Sequence, residues 1–394
     1  MLSGFDPVNC VCYSTFLNCF LHHIYRVLVC SEINRPYFQP FILDVMRFNS
    51  PTDLPSLDFS YQELEDEFIR LVGLEKLDQV IAENPGFTAE LEASLAEAFE
   101  NECPQAHLFL QRILYRINRL KLFWYDGLEN YVNEDSSFLF SLRLKIENAW
   151  QDWEEGNSVQ SNSGDLQVSK ALHHRVEEDL QPEPSPDGLF IRDEISKAGY
   201  QRLLAITSLD GLVEASQLSR MLGGVGNEVQ TMLTRILWEE YGSGKLSRKH
   251  STHFAIMLEE CDMDARPEAY FDLVPWEVLA NTNHCFFLSE RKKHFLRYVG
   301  GLLYTEVSVP AAFQNMKMAG ERLGMGEKSV SYWDLHIRED IRHGQWMLDD
   351  VALPLIETYS DRAWGMVKGY DQQKFISSRS TSAIVESIRQ LEFS

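Results

Sequence analysis

His336, Asp340 and His343 constrain this chain more than any other feature of its sequence. They follow the pattern H-x3-D-x2-H within the segment 331–343. Offsets of four and seven residues place all three side chains on one face of a helix. Two imidazoles and a carboxylate on one face can bind a metal ion. The alternative is an amphipathic helix whose polar face carries histidines, and the triplet alone does not decide between the two.

Three carboxylates and a histidine upstream favour the metal site. Glu240 closes one apolar-periodic segment and His250 opens the next, so the two side chains can face each other across the turn. Glu306 interrupts a strongly apolar segment, where a buried charge needs a cation or a hydrogen-bonding partner. Glu214 also lies among apolar residues, although alone it would be interpreted as a surface residue.

Two neighbouring residues are the reserve candidates for the same positions. Glu239 would replace Glu240 if the helix end were shifted by one residue, and His253 would replace His250. Both are better explained as residues beside the site or on the surface.

Together these residues resemble the haem-oxygenase-like diiron oxidases and oxygenases, a helical family that binds two irons instead of haem. The resemblance covers roughly residues 190–394. It is carried by the order Glu, His, Glu and then H-x3-D-x2-H, which in this chain is Glu240, His250, Glu306, His336, Asp340 and His343. The resemblance implies that these residues bind two Fe(II) ions and that O2 is a co-substrate.

Two details place the resemblance nearest to the N-oxygenating branch of that family. The interval from Glu240 to His250 is longer than in the branches that decarboxylate fatty acids or fragment amino acids, and Glu214 stands where the N-oxygenating branch has an extra carboxylate ligand. The resemblance therefore implies a diiron N-oxygenase that acts on an amine or guanidine nitrogen of an amino-acid-like substrate in specialised-metabolite biosynthesis. Such a monooxygenase also needs an external electron donor.

Other functions remain open at this point. One is a diiron oxidase that catalyses desaturation, decarboxylation or C–C cleavage of a fatty or amino acid. The others belong to different classes, namely a non-enzymatic helical interaction protein and a haem-degrading enzyme.

The charges of the candidate ligand set suit two ferrous ions. Its four carboxylates offset four positive charges, and its three imidazoles add neutral nitrogen donors. A carboxylate-rich set without thiolates favours iron or manganese over structural zinc. The complete set is Glu214, Glu240, His250, Glu306, His336, Asp340 and His343.

The composition limits the partners. The chain has 36 Lys and Arg against 59 Asp and Glu, a net charge of −23, which argues against a nucleic-acid partner. We therefore expect a small or cationic substrate. Polar residues interrupt the apolar run near residues 10–30 too soon for a membrane span, and no signal-peptide pattern accompanies it. The seven cysteines form no disulfide pattern, so we expect a reducing, cytoplasmic location.

The periodicity predicts an all-α fold in three segments: an N-terminal helical domain at 1–155, a linker at 156–188 and a haem-oxygenase-like bundle at 189–394. The linker is polar and Pro-rich, with one helix around 168–180. Resemblance to a family member with a helical dimerisation region implies that the first domain forms a homodimer. Pro310 is expected to kink or interrupt its helix. The predicted bundle helices lie near 191–206, 210–221, 227–240, 247–260, 287–322, 329–346 and 350–376.

Overall fold

Every regular element that the structure describes is helical, which confirms the all-α prediction. The structure is a computed structural model that describes residues 59–83, 86–122, 127–157, 167–223 and 227–393. No β-strand occurs within these ranges. None of their helices is both long and apolar enough to cross a membrane. Residues 1–58 of the predicted N-terminal domain and 158–166 of the predicted linker lie outside the described residues.

The first half of the described chain contains short and medium helices. The helix predicted around 168–180 is confirmed, because α6 occupies that range. The elements are α1 (Phe59–Val72), α2 (Leu77–Glu83), α3 (Gly86–Phe99), α4 (Pro104–Asn118), α5 (Ser137–Asn157), α6 (Val168–Leu180) and α7 (Pro186–Asp193).

The second half contains the longer helices of the bundle. A π-helical segment, Met347–Ala352, follows α13 directly. The elements are α8 (Lys197–Gly211), α9 (Glu228–Glu240), α10 (His250–Glu260), α11 (Trp276–Ser289), α12 (Phe295–Arg322), α13 (Ser331–Trp346), α14 (Leu353–Thr358) and α15 (Trp364–Phe393).

Several predicted boundaries are wrong. The helix expected near 287–322 begins only at Phe295, because residues up to Ser289 belong to the separate helix α11, which the periodicity did not reveal. The helix expected near 350–376 is divided by a turn and then continues to Phe393. Both errors arise because helices buried on several faces show no clear amphipathic period.

The α-helix predicted at 210–221 is replaced by a turn at 212–215 and a 3-10 helix, Ser216–Met221. Helix α8 ends at Gly211, and Ala215 adopts a left-handed conformation with φ 61°. A non-glycine residue in this region cannot continue a right-handed helix. Glu214 therefore lies in a turn rather than on a helix.

The expected interruption at Pro310 is absent, because α12 runs from Phe295 to Arg322 with Pro310 inside it. Proline removes only one helical hydrogen bond. Pro310 is buried, and α12 packs along both α13 and α15, so tertiary contacts hold the helix across that position.

The helices near the N-terminal side share an apolar core with the bundle. Phe109 and Ile113 of α4 belong to the same buried cluster as Leu204 of α8 and Trp333 of α13. Asn283 Nδ2 also donates a hydrogen bond to the carbonyl oxygen of Gln111 at 2.9 Å. The described residues, from Phe59 to Phe393, accordingly belong to one compact unit. The three-segment division of the sequence stays a prediction.

Helices α12 and α15 approach each other through glycines. A Cβ atom on Gly300 would lie 1.9 Å from the carbonyl oxygen of Met366, and one on Gly369 would lie 2.0 Å from the carbonyl oxygen of Arg297. Neither backbone can yield without moving a whole helix. Glycine at these two positions therefore sets the separation of α12 and α15, and α12 carries Glu306.

Gly300→Ala should lower the free energy of unfolding by at least ~2 kcal/mol, because overpacking between rigid helices costs ~1–3 kcal/mol. Gly365→Ala is the matched control on the same helix pair, since its Cβ would make an ordinary contact at 3.5 Å with Leu296 Cβ. Urea denaturation of both variants measures the difference. Equal stability of the two variants would contradict the close-packed crossing.

Candidate metal centre

Five parts of the bundle supply the predicted site residues. The turn after α8 contributes one carboxylate, the end of α9 another, the start of α10 a histidine, the middle of α12 a carboxylate, and one face of α13 the H-x3-D-x2-H triplet. All except Glu214 are buried, and Glu214 is partly buried. The residues in chain order are Glu214, Glu240, His250, Glu306, His336, Asp340 and His343.

The turn between α9 and α10 brings Glu240 against His250. Gly242, Ser243 and Gly244 all have positive φ angles, of 64°, 51° and 78°. A Cβ on Gly242 would lie 2.5 Å from the backbone nitrogen of Lys249, so the turn requires glycine there. The reversal places Glu240 Oε2 2.8 Å from His250 Nδ1.

A first group of potential ligands surrounds His336. Its members are Glu214, Glu240, His250 and His336, and one donor atom from each lies within 4.8 Å of the others. His336 Nε2 is 2.9 Å from Glu214 Oε1 and 3.1 Å from His250 Nδ1. Two nitrogens and two carboxylates at these distances can surround one cation.

A second group shares a member with the first. Glu240, Glu306 and His343 also have donor atoms within 4.8 Å of one another. His343 Nδ1 lies 3.3 Å from Glu240 Oε1, 3.4 Å from Glu306 Oε2 and 3.7 Å from Asp340 Oδ1. Glu240 therefore presents one oxygen to each group. This arrangement suits a carboxylate that bridges two metal ions.

Three buried donor atoms of the predicted ligands make no hydrogen bond: Glu214 Oε2, Asp340 Oδ1 and His343 Nδ1. Buried polar atoms are rarely left without a partner, since desolvating them costs free energy. All three belong to residue types that bind iron. The donor set therefore fits two metal ions and gives the unpartnered atoms a role.

Outer contacts orient the histidine rings. His336 Nδ1 lies 2.9 Å from the carbonyl oxygen of Tyr332, and His343 Nε2 lies 3.1 Å from Glu239 Oε2. A ring N–H donated to either acceptor leaves the other nitrogen of that ring as a lone-pair donor facing the site. The Tyr332 hydroxyl also donates to Glu214 Oε1 at 2.8 Å.

Burial and neighbouring charges together set the pKa values of the carboxyl groups. Burial raises the pKa of Glu306 and raises that of Asp340 well above its ordinary value. Glu240 is equally enclosed, but its close contacts with His250 and His343 outweigh burial and lower its pKa. The centre thus holds one firmly ionised carboxylate beside two that resist ionisation without a cation.

The histidines have the opposite shift. Burial alone would lower the pKa of His343, but the carboxylates of Glu240 and Glu306 raise it to about 11. Glu214 and Asp340 likewise outweigh burial and raise the pKa of His336 well above its ordinary value. In the absence of metal these rings therefore carry protons at neutral pH, which supply the positive charge that the carboxylates require.

The reserve candidates lie beside the centre. Glu239 Oε2 accepts a hydrogen bond from His343 Nε2, the ring nitrogen that points away from Glu240. Glu239 also forms an ion pair with Arg342 at 2.6 Å. His253 belongs to neither of the two groups and lies 3.4 Å from the Ser331 hydroxyl. Glu240 and His250 are therefore the residues that the structure brings together, as first predicted.

A cavity of about 200 Å³ opens onto the centre. The sequence reasoning missed one titratable residue in its wall, Asp210. Burial, with repulsion from Glu214, raises the pKa of Asp210 to about 6. Its position four residues before Glu214, in the last turn of α8, indicates that it lies near a ligand but does not indicate that it faces a cavity without a cation.

Binding of ferrous ions at pH 7 should release at least about two protons, including one each from His336 and His343, because metal ligands must be deprotonated. Iron affinity should therefore rise from pH 6 to pH 8. Calorimetric titration in buffers of different ionisation enthalpy measures the protons released, with His253→Ala as a control that keeps the same release. A binding enthalpy independent of the buffer would contradict the protonated, metal-free state.

Comparison with known proteins indicates iron-dependent redox chemistry in this part of the chain. Residues 201–371, a range that contains all seven predicted ligands, match the family described as "Iron-containing redox enzyme". The chain is also 28% identical over 152 residues to nitrosourea synthase from Streptomyces achromogenes subsp. streptozoticus. That match covers 39% of this chain and only 32% of the relative. Both comparisons indicate an iron-containing oxidoreductase, and the similarity to that family lies in residues 201–371 of the helical bundle.

Proposed function

We propose that this protein is an O2-dependent non-haem diiron N-oxygenase acting on an amine or guanidine nitrogen of an amino-acid-like substrate. One observation carries the proposal: two buried groups of donors share Glu240 and adjoin a cavity. These residues would hold two ferrous ions, which would supply redox chemistry toward O2, and the cavity would admit a small substrate beside them.

The residues divide into two iron subsites. Glu214, His250 and His336 would hold one ion, and Glu306 and His343 the other, with Glu240 between them. The carboxylate of Asp340 lies beside His343 and completes the set. Two ferrous ions would supply electrons to O2 and polarise it when bound.

The reaction proposed for the nitrogen is R–NH2 + O2 + 2 e⁻ + 2 H⁺ → R–NHOH + H2O. The nitrogen lone pair must be free to form the N–O bond, so the reacting amine has to be neutral. Apolar side chains in the cavity wall, Leu288, Leu302, Val309 and Phe313, exclude water and favour the neutral amine over its ammonium form.

Glu214 distinguishes this centre from one with six ligands. It is the residue that the turn at Ala215 delivers, and Tyr332 and His336 both contact its Oε1 while its Oε2 has no partner. A carboxylate held by one oxygen can offer the other to a metal. We propose that this seventh ligand occupies a coordination position and favours attack by a nitrogen lone pair. The name of the similar nitrosourea synthase agrees with nitrogen chemistry.

A diiron oxidase that desaturates, decarboxylates or cleaves a fatty or amino acid is the second candidate. The apolar cavity wall favours it, because an alkyl chain would fit there. The non-enzymatic and haem-degrading alternatives are not retained, since the comparisons indicate an iron-containing oxidoreductase. The external electron donor, the homodimer and the cytoplasmic location remain parts of the proposal.

The iron-loaded protein, mixed with labelled O2 and a panel of amines and guanidines, should form hydroxylamine, nitroso or nitro products that carry the label. Glu214→Ala should retain iron but form product at least ~10-fold more slowly, the loss typical of a disturbed metal environment. Glu228→Ala, which removes an exposed carboxylate at the start of α9, is the matched control and should keep full activity. Mass spectrometry of the products measures both effects.

Two results would reject the N-oxygenase proposal. One is the absence of labelled oxygen on the substrate nitrogen, together with alkene, aldehyde or shortened products from a fatty or amino acid. The other is full activity of Glu214→Ala. The first result would establish the carbon-oxidising candidate instead.

A further inference from the structure

Among the described residues of the cavity wall, Asp210 is the one carboxylate that is not in the proposed set of seven metal ligands. It lies in the last turn of α8, four residues before Glu214. Asp210 lies deep within the protein, and its side chain is accessible through the cavity that it lines. Asp210 is close enough to Tyr298, Tyr332 and Cys285 to affect all three electrostatically.

No cation of the described residues pairs with Asp210. No lysine or arginine contributes to the described wall of the cavity, and no ion pair of the described chain includes Asp210. Its side chain has a hydrogen bond from Gln217, which is neutral. The negative charge of a carboxylate in a largely apolar cavity costs free energy when no cation compensates it. A positively charged group that enters the cavity would therefore bind favourably to Asp210.

The two metal ions do not neutralise Asp210. Four positive charges of two ferrous ions are balanced by the carboxylates of the proposed ligand set. Asp210 then leaves one negative charge in the cavity. The ligand carboxylates are those of Glu214, Glu240, Glu306 and Asp340.

Other polar groups of the wall also present acceptors. Gln373 Nε2 donates to Asn281 Oδ1 at 2.7 Å and to Ser377 Oγ at 3.0 Å, and its Oε1 accepts from the Cys285 thiol at 4.0 Å. A carbonyl oxygen has two lone pairs, so Oε1 can accept a further hydrogen bond. The Thr305 hydroxyl donates to the carbonyl oxygen of Gly301 at 3.2 Å, so its oxygen can accept. A wall that offers acceptors and a negative charge matches an ammonium or guanidinium group, which has only donors.

We propose that Asp210 binds a second, protonated nitrogen of the substrate and thereby selects compounds with two basic nitrogens joined by an aliphatic chain. One nitrogen stays charged against Asp210, while the other reaches the metal centre as the neutral, reacting group. The apolar side chains of the wall contact the chain between them. This inference rests on the proposed function and names the substrate class, diamines and basic amino acids.

The test measures binding to the Fe(II)-loaded protein without O2, so that no turnover is needed. Three pairs of compounds serve as probes: cadaverine with hexylamine, lysine with norleucine, and arginine with citrulline. The members of each pair have similar size and differ by one basic nitrogen. At least one pair should show a dissociation constant ~10-fold lower for the more basic member, as a charge-assisted hydrogen bond predicts.

Asp210→Asn should reduce that preference to less than about threefold, because the amide keeps the shape of the side chain and removes its charge. Asp210→Glu should restore it in part. Asp193→Asn, which neutralises an exposed aspartate at the end of α7, should keep the full preference. Iron content and helical content are measured for each variant.

Three outcomes would overturn the inference: no preference in any pair, a preference that survives in Asp210→Asn, or loss of iron from Asp210→Asn, which would make Asp210 a ligand. Admitting O2 to the same samples separates this inference from the proposed function. Carbon-oxidised products combined with an Asp210-dependent preference would refute N-oxygenation and leave the binding role of Asp210 intact.

Discussion

Negative charge concentrated inside an apolar bundle is the constraint on which this site depends. Glu240 lies between two groups of donors and offers one oxygen to each. Such charge is tolerable in a protein interior only beside cations. In the absence of metal, protons on His336 and His343 provide part of the compensation, as their raised pKa values show. Divalent ions provide it more completely, so the same charge that makes the empty centre costly gives it affinity for metal.

The surrounding helices hold this centre in a fixed geometry. Gly300 and Gly369 let α12 and α15 touch backbone to backbone, which leaves no freedom for the helix that carries Glu306. The glycine-rich turn beginning at Gly242 fixes Glu240 against His250. Among the proposed ligands, only Glu214 lies in an irregular turn, which follows the end of α8. Asp210 lies before this turn, in the last turn of α8. The proposed ligand Glu214 and the proposed substrate-binding residue Asp210 thus lie only four residues apart, at and just after the end of α8.

The sequence predicted the parts of the site that depend on local geometry. Helical periodicity alone placed His336, Asp340 and His343 on one face, and an apolar context marked Glu306 as a buried charge that needed compensation. Resemblance to a known family supplied the order of the ligands and indicated that Glu214 is a seventh ligand. The helix α11 and the break at Ala215 escaped prediction because both depend on tertiary packing. Asp210 escaped because its significance lies in the absence of a cation across a cavity, which no spacing in the sequence can reveal.

Iron stoichiometry after anaerobic loading tests the central claim, two metal subsites joined by Glu240, most directly. The wild-type protein should bind about two ferrous ions per chain, and His336→Ala, which damages one subsite, should bind about one. Glu240→Ala should lose iron from both subsites, while His253→Ala, which removes a nearby histidine outside the two groups, should keep about two. One iron per wild-type chain, or two in Glu240→Ala, would contradict the shared carboxylate and with it the diiron account.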